Sequence, residues 1–275
     1  MNFMNRTNPI GFFDSGIGGL TVVKSVARLM PNENIVYFGD TARVPYGSKS
    51  NETVIEYSLQ AANFLLRKNI KLLVVACNTA SAVALKELRK FLTIPVIGMI
   101  EPGAKMALQE SRKGNVGVIG TRATINNKAY AHELKKLNPK VKVFEQACPL
   151  FVPLAEEGWL DHKVTEMVAK EYLSVMRDKK IDSLILGCTH YPILSDVIQK
   201  VVGKSVKLID SGSPASYLVQ DYLNGRQLRN LSVHHGQAEF YVSDVPVKFK
   251  EIAERFLGRK ISHLHKVELD ELINE

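Results

Sequence analysis

Short apolar runs rich in β-branched and aromatic residues recur along the chain at residues 10–14, 35–39, 72–76, 95–99, 116–120, 141–144, 184–187 and 206–210. Glycine, proline, asparagine or aspartate bounds most of them, and the segments between carry the spacing of amphipathic helices. The runs are continuously apolar, where a strand with one wet face would alternate. That pattern belongs to strands covered on both sides, as in parallel sheets built from βαβ units. The predicted class is α/β. In such sheets ligands collect beyond the carboxyl ends of the strands, so the residues that follow each run are the ones to read for chemistry.

Those ends are informative. The first run closes in Asp14-Ser15-Gly16-Ile17-Gly18-Gly19, the second in Gly39-Asp40-Thr41 followed by Pro45-Tyr46-Gly47, and the third in Cys77-Asn78-Thr79. The later half repeats the style with Gly120-Thr121, Thr124 following, and with Gly187-Cys188-Thr189-His190-Tyr191-Pro192. Two strand-Cys-Thr-helix contexts at matching places in the two halves suggest an internal duplication.

Cys77 falls just before a helix predicted to start near Ser81, where amide donors and the helix dipole would draw a thiol down from its free value of about 8.5. Cys188 has the same setting with His190 two residues on. A single such thiol reads as packing, but a matched pair points to function. Cys148 is followed by Pro149, which removes a backbone donor, and reads as packing. The DSGIGG loop has neither phosphate-binding glycine spacing, and the Asp14 carboxylate would repel phosphate; it suits an ammonium group or a thiol's hydrogen-bond network. His234, His235, His263 and His265 complete no ligand set at metal spacing and read as surface residues. Trp159 reads as core or interface packing, with Glu157 beside it a candidate to support the site.

Composition sets limits. The chain has 275 residues, 45% hydrophobic and 23% charged, enough for one large or two modest globular domains. No apolar run approaches the roughly 20 residues of a membrane span, and the N-terminus shows no secretory h-region, so the expected compartment is the cytoplasm. Three cysteines argue for free thiols over a disulfide framework. The excess of Lys and Arg, 36 against 28 Asp and Glu, gives +8 but is spread among acids, so nucleic-acid binding is the secondary reading.

Taken in order, FFDSGIGGLTV, YFGDTARVPYG, VVACNTASA, PVIGMIEPGA, GVIGTRATI, LILGCTHYPIL and LIDSGSPAS resemble the glutamate racemases over most of the chain. The resemblance implies two pseudo-symmetric α/β domains, expected at 1–98 plus 211–275 and at 99–210, with the substrate in the cleft between them. It implies racemisation of L- and D-glutamate for peptidoglycan synthesis, with no metal and no flavin, nicotinamide or pyridoxal cofactor. Cys77 would take the α-proton from D-glutamate and Cys188 from L-glutamate, each returning a proton to the opposite face. Asp14 and His190 would flank the thiols, with Glu157 on the His190 side. Ser15, Pro45, Tyr46, Gly47, Asn78, Thr79, Thr121, Thr124 and Thr189, with Asp14 and His190, would hold the amino acid. A homodimer is expected, and a DNA gyrase or nucleic-acid contact is a secondary role seen in some members. The rivals are an aspartate or hydantoin racemase using the same thiols, and a redox pair of Cys77 and Cys188.

Overall fold

A computed structural model describes residues 5–273; residues 1–4 and 274–275, part of the N-terminal stretch read for a leader and the outer ends of the first expected domain, lie outside the described residues. Among the described residues ten strands form two sheets: β1 (Ile10–Asp14), β2 (Ile35–Gly39), β3 (Leu72–Val75), β4 (Val96–Ile97), β5 (Asn115–Gly120), β6 (Lys142–Ala147), β7 (Ser183–Gly187), β8 (Lys207–Ile209), β9 (Ala238–Val242) and β10 (Leu264–Lys266). The first sheet has the order β10-β9-β2-β1-β3-β4 and the second β6-β5-β7-β8, and every pairing is parallel. Within the first sheet the run β2-β1-β3-β4 and the whole of the second have the same construction: second strand, first, third, fourth. The duplication suggested by the cysteine loops is thus visible in the topology. The molecule is two pseudo-symmetric α/β lobes.

Alternate residues of each continuous run serve opposite faces of the sheet, as the strand period of two requires. Phe12, Tyr37 and Val74 join helices Leu20–Leu29 and Gly212–Gly225, while Phe13, Phe38 and Val75 join helix Asn51–Leu66. In the second sheet Val116, Val118 and Ile185 pack on helix Ile100–Glu110, and Ile119, Leu184 and Leu186 share the core that continues into the first lobe. The chain therefore crosses to the second lobe after β4 and returns after β8. No helix among the described residues is long and apolar enough to cross a membrane.

Two strands escaped the apolar-run criterion. β9 carries Glu239 and is only partly buried, and β10 is a three-residue edge strand, so neither shows as a continuous apolar run. Other boundaries move by one to three residues, as at β4, where the 95–99 run contracts to Val96–Ile97, and at β6, where the 141–144 run extends to Ala147.

The sheets deliver their loops to a common place because backbones meet closely there. Tyr37 donates from its hydroxyl to the Gly16 carbonyl at 2.9 Å, and a Cβ on Gly39 would lie 2.1 Å from that same oxygen. Only a glycine at the end of β2 lets the loop after β1 pack down. Gly39→Ala is therefore expected to destabilise the fold by at least about 1–3 kcal/mol, measured by urea unfolding. Gly225→Ala, where a Cβ meets nothing within 4 Å, serves as the control.

Candidate active site

Between the carboxyl ends of the two sheets lies a cavity of about 380 Å³, within the roughly 300–1,000 Å³ of small-molecule sites. Ser15, Tyr46 and Cys77 line it from the first lobe, and Thr121, Cys188 and His190 from the second. One sulfur thus reaches the cavity from each lobe, from the ends of the equivalent strands β3 and β7.

Cys77 is the N-cap of helix Asn78–Val83, its sulfur accepting from the Ala80 amide at 3.5 Å, so the helix starts three residues before the expected Ser81. The Cys77 thiol donates to the Ser15 hydroxyl at 3.4 Å. The expected lowering of this thiol is overturned. Burial and the nearby Asp14 carboxylate push it up to about 12, and the hydrogen bonds with Ser15 and the Ala80 amide do not offset them. Asp14 is itself raised, by burial first, against the pull of His190 and of the loop amides; its Oδ2 accepts from the Gly16 amide at 2.9 Å and Oδ1 has no hydrogen-bond partner.

The Cys188 side is built differently. Its sulfur lies 3.8 Å from His190 Nδ1, and His190 Nε2 lies 2.9 Å from Glu156 Oε1. Burial alone would lower the imidazole, but its hydrogen bonds to Cys188 and Glu156 prevail and raise it to about 10. An imidazolium donating from both nitrogens is the result. The second lobe makes this site with help from the first: Phe256 sets its ring edge-on to His190 at 5.2 Å, Arg255 donates to the Glu156 carbonyl at 3.2 Å, and Thr21 donates to the Thr189 carbonyl at 3.1 Å. A Cβ on Gly18 would fall 2.4 Å from His190 Nδ1, so only glycine fits there.

Glu157 does not support His190. Helix Phe151–Glu156 ends with Glu156 turned to the imidazole, and Glu157, one residue or about 100° further round, points outward to Lys248 at 3.5 Å. Adjacent acids on a helix cannot share a face. Thr124 is also displaced from its expected place: buried and off the cavity surface, its hydroxyl bonds those of Thr79 at 3.3 Å and Thr121 at 3.0 Å, which bond each other at 2.9 Å across the lobes. Asp14 likewise sits behind the wall, beneath Gly19. Ser15, Pro45, Tyr46, Gly47, Asn78, Thr79, Thr121, Thr189 and His190 all line the cavity. Cys148 is fully buried and away from it. His162, not the core, receives Trp159, at 4.6 Å.

Comparison with known proteins decides the family. The model of the Asp/Glu/hydantoin racemases matches residues 18–215. The chain belongs to this racemase family. It is 52% identical to a glutamate racemase of Geobacter metallireducens over 95% of this chain and 97% of that one. Among solved structures, glutamate racemase from Francisella tularensis in complex with D-glutamate superposes with a TM-score of 0.91 at 45% identity, covering 96% of this chain and 99% of that one. A glutamate racemase isoform from Bacillus anthracis superposes with a TM-score of 0.93 at 38% identity, with the same coverage.

Several residues of the racemase cavity were not evident in the sequence. Val44, Pro149, Val152 and Pro153 supply apolar wall, and Arg122 is, besides His190, the one cation among the described lining residues. Tyr130 and Ser211 donate to Asn78 Oδ1 at 2.7 and 3.1 Å, leaving Asn78 Nδ2 buried without a protein partner. Pro153 and Glu156 lie one helical turn apart with Pro149 before them; that i, i+3 or i+4 spacing after β6 was the available signal. Among the described residues no group of three or more His, Cys, Asp or Glu converges as a metal-ion ligand set would.

Two outcomes follow from this geometry. Glu156→Gln should lower turnover of an L-amino-acid substrate by about 10- to 100-fold, the worth of a hydrogen bond to a charged group, while Glu157→Gln stays within about twofold; initial rates for both variants check it. Because folding raises His190 from 6.5 to about 10, its contribution to stability is complete below pH 6.5 and is lost as the pH climbs through 10. Urea unfolding at pH 7 and pH 9 should show a steeper decline in the wild type than in His190→Gln.

Proposed function

We infer that this chain is a glutamate racemase that inverts the α-carbon with two thiols and its own hydrogen-bond donors. One observation carries the reading: two free, buried sulfurs reach one cavity from equivalent strand ends of two lobes, each beside a different ionisable partner. Inversion needs this arrangement, because a proton removed from one face must be replaced on the other, and a single base returns it where it came from.

From L-glutamate, the Cys188 sulfur takes the α-proton while the Cys77 thiol gives its proton to the opposite face; the electron pair left by the first passes into the substrate carboxylate and is used by the second. From D-glutamate the roles exchange. His190, held by Glu156, supplies the charge opposite an anionic Cys188 sulfur, and Asp14 stands by the Cys77 side. The Asn78 amide and the Thr79 and Thr121 hydroxyls are donors for substrate carboxylates, and Tyr46 and Gly47 close the wall above them. The domains are taken as 1–98 plus 211–275 and 99–210, so each contributes one acid/base group. The product D-glutamate would serve peptidoglycan synthesis in the cytoplasm, with the enzyme as a homodimer.

The deciding experiment incubates L- and D-glutamate separately with the protein in deuterium oxide, without added cofactor. Both should converge on the racemate with deuterium at Cα. Faster inversion of aspartate or a hydantoin at matched concentration would move the chain to another substrate of its family, and no exchange with any of them would end the reading. Cys77→Ser and Cys188→Ser should each lose about 10²- to 10⁴-fold in turnover, the range of general acid–base catalysis. Cys148→Ser should remain within about threefold of wild type and lower only thermal stability.

A further inference from the structure

Asp40 follows β2 in DTARVPYG, a motif of which only the Val44-Pro45-Tyr46-Gly47 part has a place in the site so far. Its carboxylate is fully buried and does not line the cavity. It is nonetheless one of the most fully bonded groups in the molecule. Oδ2 accepts from the Tyr46 hydroxyl at 2.6 Å and from Arg43 Nε at 2.8 Å, and Oδ1 accepts from the Ser243 hydroxyl at 2.9 Å and again from Arg43 Nε at 3.0 Å. Such short bonds to a charged acceptor are strong and geometrically exacting. They are themselves braced. Arg43 lies over the Tyr57 ring at 3.9 Å and donates to Gln60, and Ser243 accepts from the Ala42 amide at 2.9 Å.

The network leads to the cavity through Tyr46. This ring is buried, packs against Phe13 and Tyr57, and forms part of the cavity wall. Gly47, the next residue, approaches the second lobe so closely that a Cβ there would lie 2.8 Å from Thr121 Cβ. A displacement of the turn Tyr46–Ser48 therefore moves both the wall and its contact with Thr121, which also lines the cavity. Ser243 follows β9, so the returning C-terminal segment also bears on the wall.

Resting on the racemase reading above, we propose that Asp40, with Arg43 and Ser243, is a positioning residue for the substrate: through the Tyr46 hydroxyl it sets the wall that glutamate binds against. It touches neither thiol. Its loss weakens ground state and transition state alike, which raises KM and leaves kcat in place. A carboxylate that served only to hold the end of β2 would instead change stability at constant KM.

The test measures kcat, KM for L-glutamate and thermal unfolding in the wild type, Ser243→Ala, Asp40→Asn, Tyr46→Phe, and Asp40→Asn combined with Tyr46→Phe. Ser243→Ala keeps the Asp40–Arg43 pair and is the variant that decides if Asp40→Asn does not fold. KM should rise about threefold in Ser243→Ala and about tenfold in Asp40→Asn, with kcat within about twofold of wild type. Asp40→Asn should add little to the KM of Tyr46→Phe, because both break the same link. Wild-type KM in Ser243→Ala and Asp40→Asn alongside reduced thermal stability, or a fall in kcat at constant KM, overturns the assignment. A wild type inactive on glutamate overturns the racemase reading and this inference with it, whereas an active wild type with unmoved KM in the variants overturns this inference alone.

Discussion

A thiol removed from water holds its proton unless a cation is brought to it, and both thiols of this cavity are buried. The fold answers that constraint in two unlike ways. At the end of β7 the chain supplies its own cation, His190, fixed between the Cys188 sulfur and Glu156. At the end of β3 it supplies a carboxylate, Asp14, which with burial drives the Cys77 thiol up to about 12. Two strands equivalent by topology thus end in opposite electrostatics. Two close approaches serve this difference: Gly18 admits the His190 ring to the first lobe, and Gly39 admits the Gly16 carbonyl of the loop that follows Asp14. The lobes are tied where the charges stand, by Phe256 on His190 and Arg255 on the Glu156 carbonyl.

How much of this could be read from the sequence depended on whether the information was local. Eight strands were legible because each is an apolar run covered on both faces, and β9 and β10 were not, because strands near an open edge have no need of such a run. The cavity-lining residues at the strand ends, from Ser15 to His190, were legible for the same reason: in a parallel sheet the carboxyl ends gather. The Cys77 environment was not. Its nearest carboxylate comes from β1, and a helix N-terminus read in isolation predicts the opposite shift. Glu156 and Glu157 differ by one step of a helix whose orientation is fixed by long-range packing, of Phe151 on Tyr172 and Tyr191 and of Arg255 on the Glu156 carbonyl. The resemblance implied Thr124 on the cavity beside Thr121, but the helical turn between them puts its hydroxyl behind the wall. Tyr130 and Ser211 reach Asn78 from distant segments, a contact to which no local pattern points.

The unequal thiols do not make the chemistry one-way. L- and D-glutamate have the same free energy in water, and kcat/KM measures the transition state against free enzyme and substrate, so the two directions of a racemase must share one kcat/KM. Any advantage that His190 gives to the Cys188 direction in turnover must be matched by weaker substrate retention, and any handicap of Cys77 by tighter retention. The groups around each thiol bear on that balance. Burial and the Asp14 carboxylate raise the Cys77 thiol to about 12, so on the reading proposed above its ionisation calls for a cation, and the ammonium of glutamate is the one the substrate brings. Binding and ionisation are then one event on the Cys77 side, whereas on the Cys188 side the cation is part of the protein before the substrate enters. The first lobe draws its charge from the ligand and the second from its own sequence, and a cavity closed by both lobes brings the two together on one carbon.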